Sequence, residues 1–190
     1  MKKRISLLVA MLILAMSIVT GCNVTTTDQQ KETTAPTTVL ETTAPTEDEK
    51  SETVTIALDC KTVLDNMDKL DSSIKDSDVL PKDGVILKET EVEIEKDATV
   101  FDVLEKVTKE NKIQFEYVGA EESSFGSLYI EGINYLYSMS CGENSGWFFL
   151  VNGEFASVGC DAYKVKAGDK IEWRYTCDMG ADIGYVYEGE

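Results

Sequence analysis

Histidine is absent from all 190 residues. Its absence removes the commonest general base, the commonest zinc ligand and the usual activator of a serine or cysteine nucleophile. Any catalysis would fall to carboxylates, and no pair of them is marked out by spacing, so a protein that is not an enzyme is expected. There is also no Cys-x-x-Cys, the spacing of redox and zinc motifs. Basic residues are scarce, with 18 Lys and Arg against 35 Asp and Glu and a formal net charge of −17. That balance argues against nucleic acid or anionic lipid headgroups as partners of the protein itself. Neutral and cationic ligands remain open, and much of the charge reads as a solvated acidic surface.

The N-terminus holds the first positive signal. Lys2, Lys3 and Arg4 precede an apolar run from Ile5 to Val19, and Val19-Thr20-Gly21-Cys22 follows. A charged start and an apolar stretch too short for a comfortable membrane span make a secretory signal peptide over residues 1–21. Small residues directly before Cys22 resemble a bacterial lipoprotein lipobox, in which the cysteine is acylated and becomes the new N-terminus. Two acyl chains, at about 0.8 kcal/mol per buried CH₂, hold a protein stably on a membrane. The expected location is the extracellular face of the cell membrane, with the membrane as a partner through the lipid on Cys22.

Residues 22–52 are dominated by Thr, Pro, Glu, Asp and Gln, and Glu-Thr-Thr-Ala-Pro-Thr occurs twice, at 32–37 and 41–46. Such a stretch cannot bury enough apolar surface to offset its chain entropy, so a disordered tether is expected. Fully extended, its roughly thirty residues would reach on the order of 100 Å.

Residues 53–190 have the pattern of one folded domain. Val54, Ile56 and Leu58 alternate along a strand at Thr53–Asp59. Val63, Met67, Leu70 and Ile74 recur at helical spacing and predict a short amphipathic helix. The aspartates among them (Asp65, Asp68, Asp71 and Asp76) lack the glycine turn of a calcium loop and read as a solvated face. A strand at Val85–Ile94 leads to the strongest helix, where Thr99 and Asp102 form a capping box ahead of the stripe Val100, Val103, Leu104 and Val107. Strands follow at Ile113–Val118 and Ser127–Ile133, while the segment around Tyr135, Tyr137 and Met139 takes no assignment. An apolar strand at Trp147–Val151 meets Asn152-Gly153, the strongest short hairpin signal. Tyr163–Val165 and Lys170–Cys177 are the last expected strands. Many strands with one or two helices define an α+β domain. Beyond Cys22, four cysteines remain: Cys60, Cys141, Cys160 and Cys177. An even number in an exported chain reads as two disulfides, with three connectivities open.

Several spaced motifs act together in the second half: T-V-F-D-V-L-E-K-V at 99–107, F-G-S-L-Y-I-E-G-I at 125–133, S-G-W-F-F-L-V-N-G at 145–153 and G-D-K-I-E-W-R-Y-T-C at 168–177. In this order they resemble the bacterial family of transcobalamin-like C-terminal domains, over about residues 85–177. The resemblance implies a β-grasp-like mixed sheet curled around the helix at Thr99–Asn111, with an additional short helix. In the animal vitamin B12 carriers the related domain forms one wall of the cobalamin site, and a larger helical domain forms the other. The resemblance therefore implies a non-catalytic binding module for a corrinoid or another soluble ligand, with no cofactor required. By position, Trp147, Phe149, Phe155 and Tyr163 would face the ligand, with Tyr135 and Tyr137 from the preceding segment. Aromatic rings supply large apolar area at low entropy cost; the competing role for Trp147 and Phe149 is the core. The implied fold also sets the first and last strands side by side, which pairs Cys60 with Cys177 and leaves Cys141 with Cys160 to staple the hairpin. The alternative to small-ligand capture is an adhesion or interaction module that binds a surface protein or a cell-wall glycan through a sheet edge or exposed aromatics.

Overall fold

A computed structural model describes residues 51–186. Cys22, the signal peptide and almost all of the tether lie outside the described residues. Eight strands and three short α-helices follow in the order β1 (Thr53–Asp59), α1 (Lys61–Leu64), α2 (Ser72–Lys75), β2 (Val85–Glu93), α3 (Val100–Glu110), β3 (Phe115–Val118), β4 (Tyr129–Ile133), β5 (Leu136–Tyr137), β6 (Gly146–Val151), β7 (Glu154–Phe155) and β8 (Lys170–Thr176). The class is α+β. The mixed sheet is five-stranded, in the order β2-β1-β8-β6-β7, and β3-β4-β5 form a second sheet of three strands. The first and last strands are neighbours, and theirs is the parallel pair, with Ile56 opposite Ile171 and Leu58 opposite Trp173.

One apolar cluster holds the domain together. Val54, Ile56 and Leu58 from β1 and Ile171, Trp173 and Tyr175 from β8 are each at most 2 % exposed. They share the cluster with Val100, Val103, Leu104 and Val107 of α3. The period of two in the strands and of 3.6 in the helix each present one apolar face, and burying those faces together is what the patterns encode. The capping box forms as expected: the Thr99 hydroxyl accepts from the Asp102 N–H at 3.2 Å, and the Asp102 carboxylate accepts from the Thr99 N–H at 2.8 Å.

Two expected elements take another form. The helix expected through Val63–Ile74 is two single turns, α1 and α2. Between them the Asn66 side chain donates to the Thr62 carbonyl and the Asp71 N–H donates to the Ser140 carbonyl at 2.8 Å, so these backbone groups find partners outside a helical ladder. Tyr163–Val165 is not a strand; Lys164 makes only an isolated bridge to Thr99, and the Val165 N–H donates to the Ala98 carbonyl.

No disulfide joins the four described cysteines, all of which are buried free thiols. Neither Cys60–Cys177 nor Cys141–Cys160 is formed. The β1–β8 register ends with Asp59 opposite Arg174, so Cys177 lies about two residues, roughly 6–7 Å, beyond the level of Cys60. Cys160 is turned toward α3, where its carbonyl accepts the Phe101 N–H at 3.0 Å, while Cys141 points at Asn66, whose carbonyl its sulfur meets at 3.4 Å.

Candidate functional site

An open cleft of about 790 Å³ is built where β4, β5 and β6 meet β7 and the chain after β8. Its volume falls within the range of about 300–1,000 Å³ typical of small-molecule sites. One wall begins at Tyr129, whose hydroxyl lies 2.6 Å from the Ser138 hydroxyl, and whose ring packs 5.0 Å from that of Phe125. Tyr137 completes that wall. It stands opposite Gly132 in the β4–β5 pair, and a Cβ on Gly132 would come within 2.6 Å of its ring. The absent side chain is what lets the ring lie flat across β4. The Tyr137 hydroxyl donates to Glu116 at 2.7 Å and accepts from the Gln114 amide at 3.0 Å. That donation to Glu116 pushes the phenol up to about 12.

The opposite wall is a trio of rings. Phe148 packs 6.3 Å from Phe155 and 5.6 Å from Tyr185, and Phe155 and Tyr185 meet edge to face at 5.0 Å. Tyr185 reaches this place because the chain after β8 folds back on itself. Thr176, fully buried, accepts from the Gly180 N–H at 2.7 Å and from the Asp178 N–H at 3.1 Å, and its hydroxyl also bonds Asp182. Asp182 in turn accepts the Cys177 N–H at 2.8 Å. Gly180 sits at φ 95°, and a Cβ there would meet Tyr185 at 2.7 Å, so only glycine suits both the turn and the contact.

Trp147 forms the floor. It is 8 % exposed, its Nε1–H donates to the Leu136 carbonyl at 2.8 Å, and its ring meets Tyr175 edge to face at 5.3 Å. Phe149 also borders the cleft but leans on Trp173, 5.2 Å away. Both are therefore core residues with one edge turned to the cleft. Below them the Tyr175 hydroxyl lies 2.6 Å from the Tyr137 carbonyl and 2.8 Å from the Ser145 hydroxyl, and burial pushes its phenol well above the ordinary value.

Trp147, Phe149, Phe155 and Tyr137, four of the residues expected from sequence, thus line one cleft. Tyr135 and Tyr163 do not. Tyr135 is 54 % exposed, with its N–H held by the Gln114 side chain, because positive φ at Asn134 and Tyr135 turns the chain outward between β4 and β5. Tyr163 packs on Phe149 at 6.2 Å and its carbonyl accepts the Val100 N–H, which commits it to the core near α3. Sequence reasoning missed Phe148, Tyr129 and Tyr185. Alternation along β6 assigns Phe148 to the face opposite Trp147, and only the return of the chain at Gly180 makes that face a wall.

The polar lining is one-signed. Glu131 and Glu143 border the cleft and no Lys or Arg does. Met139 and Met179 add adaptable apolar edges. Such a surface suits a ligand with a flat apolar body and no net negative charge. Among the described residues no three His, Cys, Asp or Glu side chains group to hold a metal ion.

One family model matches the stretch of chain that contributes most of the cleft. Residues 97–177 match the family model described as "Domain of unknown function (DUF4430)". No curated protein matches the chain. Among solved structures, haptocorrin in complex with Cbi is similar at 20% identity and a TM-score of 0.45, over 66% of this chain and 25% of that one. A candidate metal-binding protein from Ruminococcus gnavus ATCC 29149 is similar at 17% identity and a TM-score of 0.37, over 66% of this chain and 96% of that one. The match to that family model covers the motifs from the Thr99 cap to the end of β8 on which the sequence resemblance rests.

Proposed function

We propose that this chain is a lipid-anchored extracellular lipoprotein that presents a non-catalytic ligand-binding module, and that its ligand lies in the aromatic cleft between Tyr129–Tyr137 and Phe148–Phe155. The observation that carries the reading is the cleft itself: rings on both walls, a tryptophan floor, and carboxylates as its only charged groups. Rings of this kind bury a planar ligand with little loss of side-chain entropy. A corrinoid is the first ligand to try, because the transcobalamin-like resemblance points to it and a corrin ring is flat and amphipathic. The lipobox at Cys22 and the tether support display at the outer membrane surface. No imidazole is available for cobalt, so recognition would rest on stacking and on hydrogen bonds from Ser138, Asn144 and Tyr129.

Titration of the protein with cobinamide and cobalamin, followed by tryptophan fluorescence, tests the reading. Trp147 borders the cleft while Trp173 is 2 % exposed in the core, so a saturable change that disappears in Trp147→Phe reports the cleft. Binding tighter than about 100 μM, worth roughly −5.5 kcal/mol, is expected for one corrinoid. No response to either corrinoid refutes that assignment. The second reading is an adhesion or interaction module for a surface protein or cell-wall glycan. Its support is the apolar rim, where Phe125 is 71 % and Met139 67 % exposed. Binding of a wall glycan with no corrinoid response selects it.

A further inference from the structure

The four buried thiols fall into two groups. Cys60 lies at the end of β1, its N–H donating to the Gly84 carbonyl, and Cys160 lies at the start of α3; neither has another cysteine beside it in the hydrogen-bond network. Cys141 and Cys177 differ. Far apart in sequence, they come from the turn after β5 and from the residue after β8, and their side chains interact with each other. Both sulfurs also face the same turn of chain. Cys141 Sγ lies 3.4 Å from the Asn66 carbonyl oxygen and Cys177 Sγ 3.8 Å from Thr62 Oγ1, while the Asn66 amide donates to the Thr62 carbonyl. Their backbones are fixed as well: the Cys141 N–H donates to Ser145 Oγ at 3.0 Å and the Cys177 N–H to Asp182 at 2.8 Å.

We infer that Cys141 and Cys177 are the chain's bridging pair, and that their disulfide ties the Gly142–Ser145 turn to the end of β8 and so fixes the edge of the cleft. The step is thiol–disulfide exchange with a small disulfide co-reactant, R–S–S–R. A thiolate of one cysteine attacks R–S–S–R, forms a mixed disulfide and expels one RS⁻. The second thiolate attacks the cysteine sulfur of that mixed disulfide, closes the Cys141–Cys177 bond and expels the second RS⁻. The two protons released by the cysteines pass to the two RS⁻ groups, so the protein loses two electrons and the co-reactant gains them. Burial raises the thiol of Cys141 and pushes that of Cys177 up to about 12. Neither is a ready nucleophile once folded, so the bond closes while the chain folds and is then shielded from reductants. The bridge stands on the placement of the two sulfurs; its effect on capture rests on the cleft reading.

The test uses the full chain carrying Cys22→Ser, which leaves only the four domain thiols. The protein is refolded in oxidised and reduced glutathione, alkylated, and digested without reduction for mass mapping. A linked Cys141–Cys177 peptide is expected. Linkage of either cysteine to Cys60 or Cys160, or recovery of both as alkylated thiols, overturns the inference. The oxidised protein should melt on the order of 10 °C above the reduced one, and a Cys141→Ala/Cys177→Ala double variant should show no such difference. Equal melting of the two wild-type forms would mean that the bond clamps nothing. Cobinamide titration separates the two readings: if neither form binds it, the corrinoid assignment fails while the mapped bridge stands.

Discussion

Replacing Gly132 with alanine probes the geometry that shapes the cleft. The new Cβ would lie 2.6, 2.8 and 3.1 Å from three carbons of the Tyr137 ring, where ordinary contact begins near 3.4 Å. The ring must therefore retreat by nearly 1 Å, or β4 and β5 must part. Gly132 is not at positive φ, so the alanine backbone itself is unstrained and gains about 0.4–1 kcal/mol from a less free unfolded chain. Overpacking costs about 1–3 kcal/mol. Loss of the Tyr137–Glu116 hydrogen bond at 2.7 Å and the Gln114–Tyr137 bond at 3.0 Å adds about 1 kcal/mol. The net is about 1–3 kcal/mol of destabilisation, or roughly 4–12 °C in Tm for a domain of this size. A second readout follows from the phenol. In the wild type, Tyr137 should stay protonated until near pH 12, whereas in Gly132→Ala it should titrate closer to its ordinary 10. Because the folded value lies above the unfolded one, the associated stability is complete below pH 10 and is lost between about pH 10 and 12. Thermal melts and alkaline absorbance titration read both effects. A variant that melts within about 2 °C of wild type and still shows two late-titrating tyrosines, Tyr137 as well as the buried Tyr175, would refute the argument.

The other substitutions probe separate supports. Thr176→Val keeps the shape but removes the hydroxyl that accepts from Gly180 and Asp178. It should cost about 1–3 kcal/mol and speed hydrogen exchange at residues 178–184, and unchanged exchange there would refute its role in holding the chain after β8. Trp147→Phe strips the Leu136 carbonyl of its 2.8 Å donor; a loss of about 2–3 kcal/mol is expected by chemical denaturation, with less than 1 kcal/mol counting against the bond. Thr99→Ala breaks the capping box and should cost about 1 kcal/mol by the same measurement, without altering the cleft.

Local signals in the sequence carried through where neighbouring residues suffice to set the geometry. The Thr99–Asp102 box needs only three residues' separation, and Asn152-Gly153 closes its hairpin with φ of 56° and 81°. Alternation along β1 set Val54, Ile56 and Leu58 on one face, and that face is buried against Ile171, Trp173 and Tyr175 of β8. The reading failed where a long-range contact outweighed the local pattern. The apolar spacing of Val63, Met67, Leu70 and Ile74 suggested one helix, and those residues do pack on the core. The Asp71–Ser140 hydrogen bond nevertheless holds the chain between them in another course.

By itself the sequence determined the class of the domain, its main helix and hairpin, and an aromatic-rich second half without histidine. These follow from periodicity, capping and composition, which are properties of short stretches of chain. Only the tertiary structure decided which rings share a cleft, because Tyr137 and Phe148 meet there through strand register and the return of the chain at Gly180. The same holds for the thiols: four cysteines in sequence allow three pairings, and only the packing of the turn after β5 against the end of β8 brings Cys141 to Cys177.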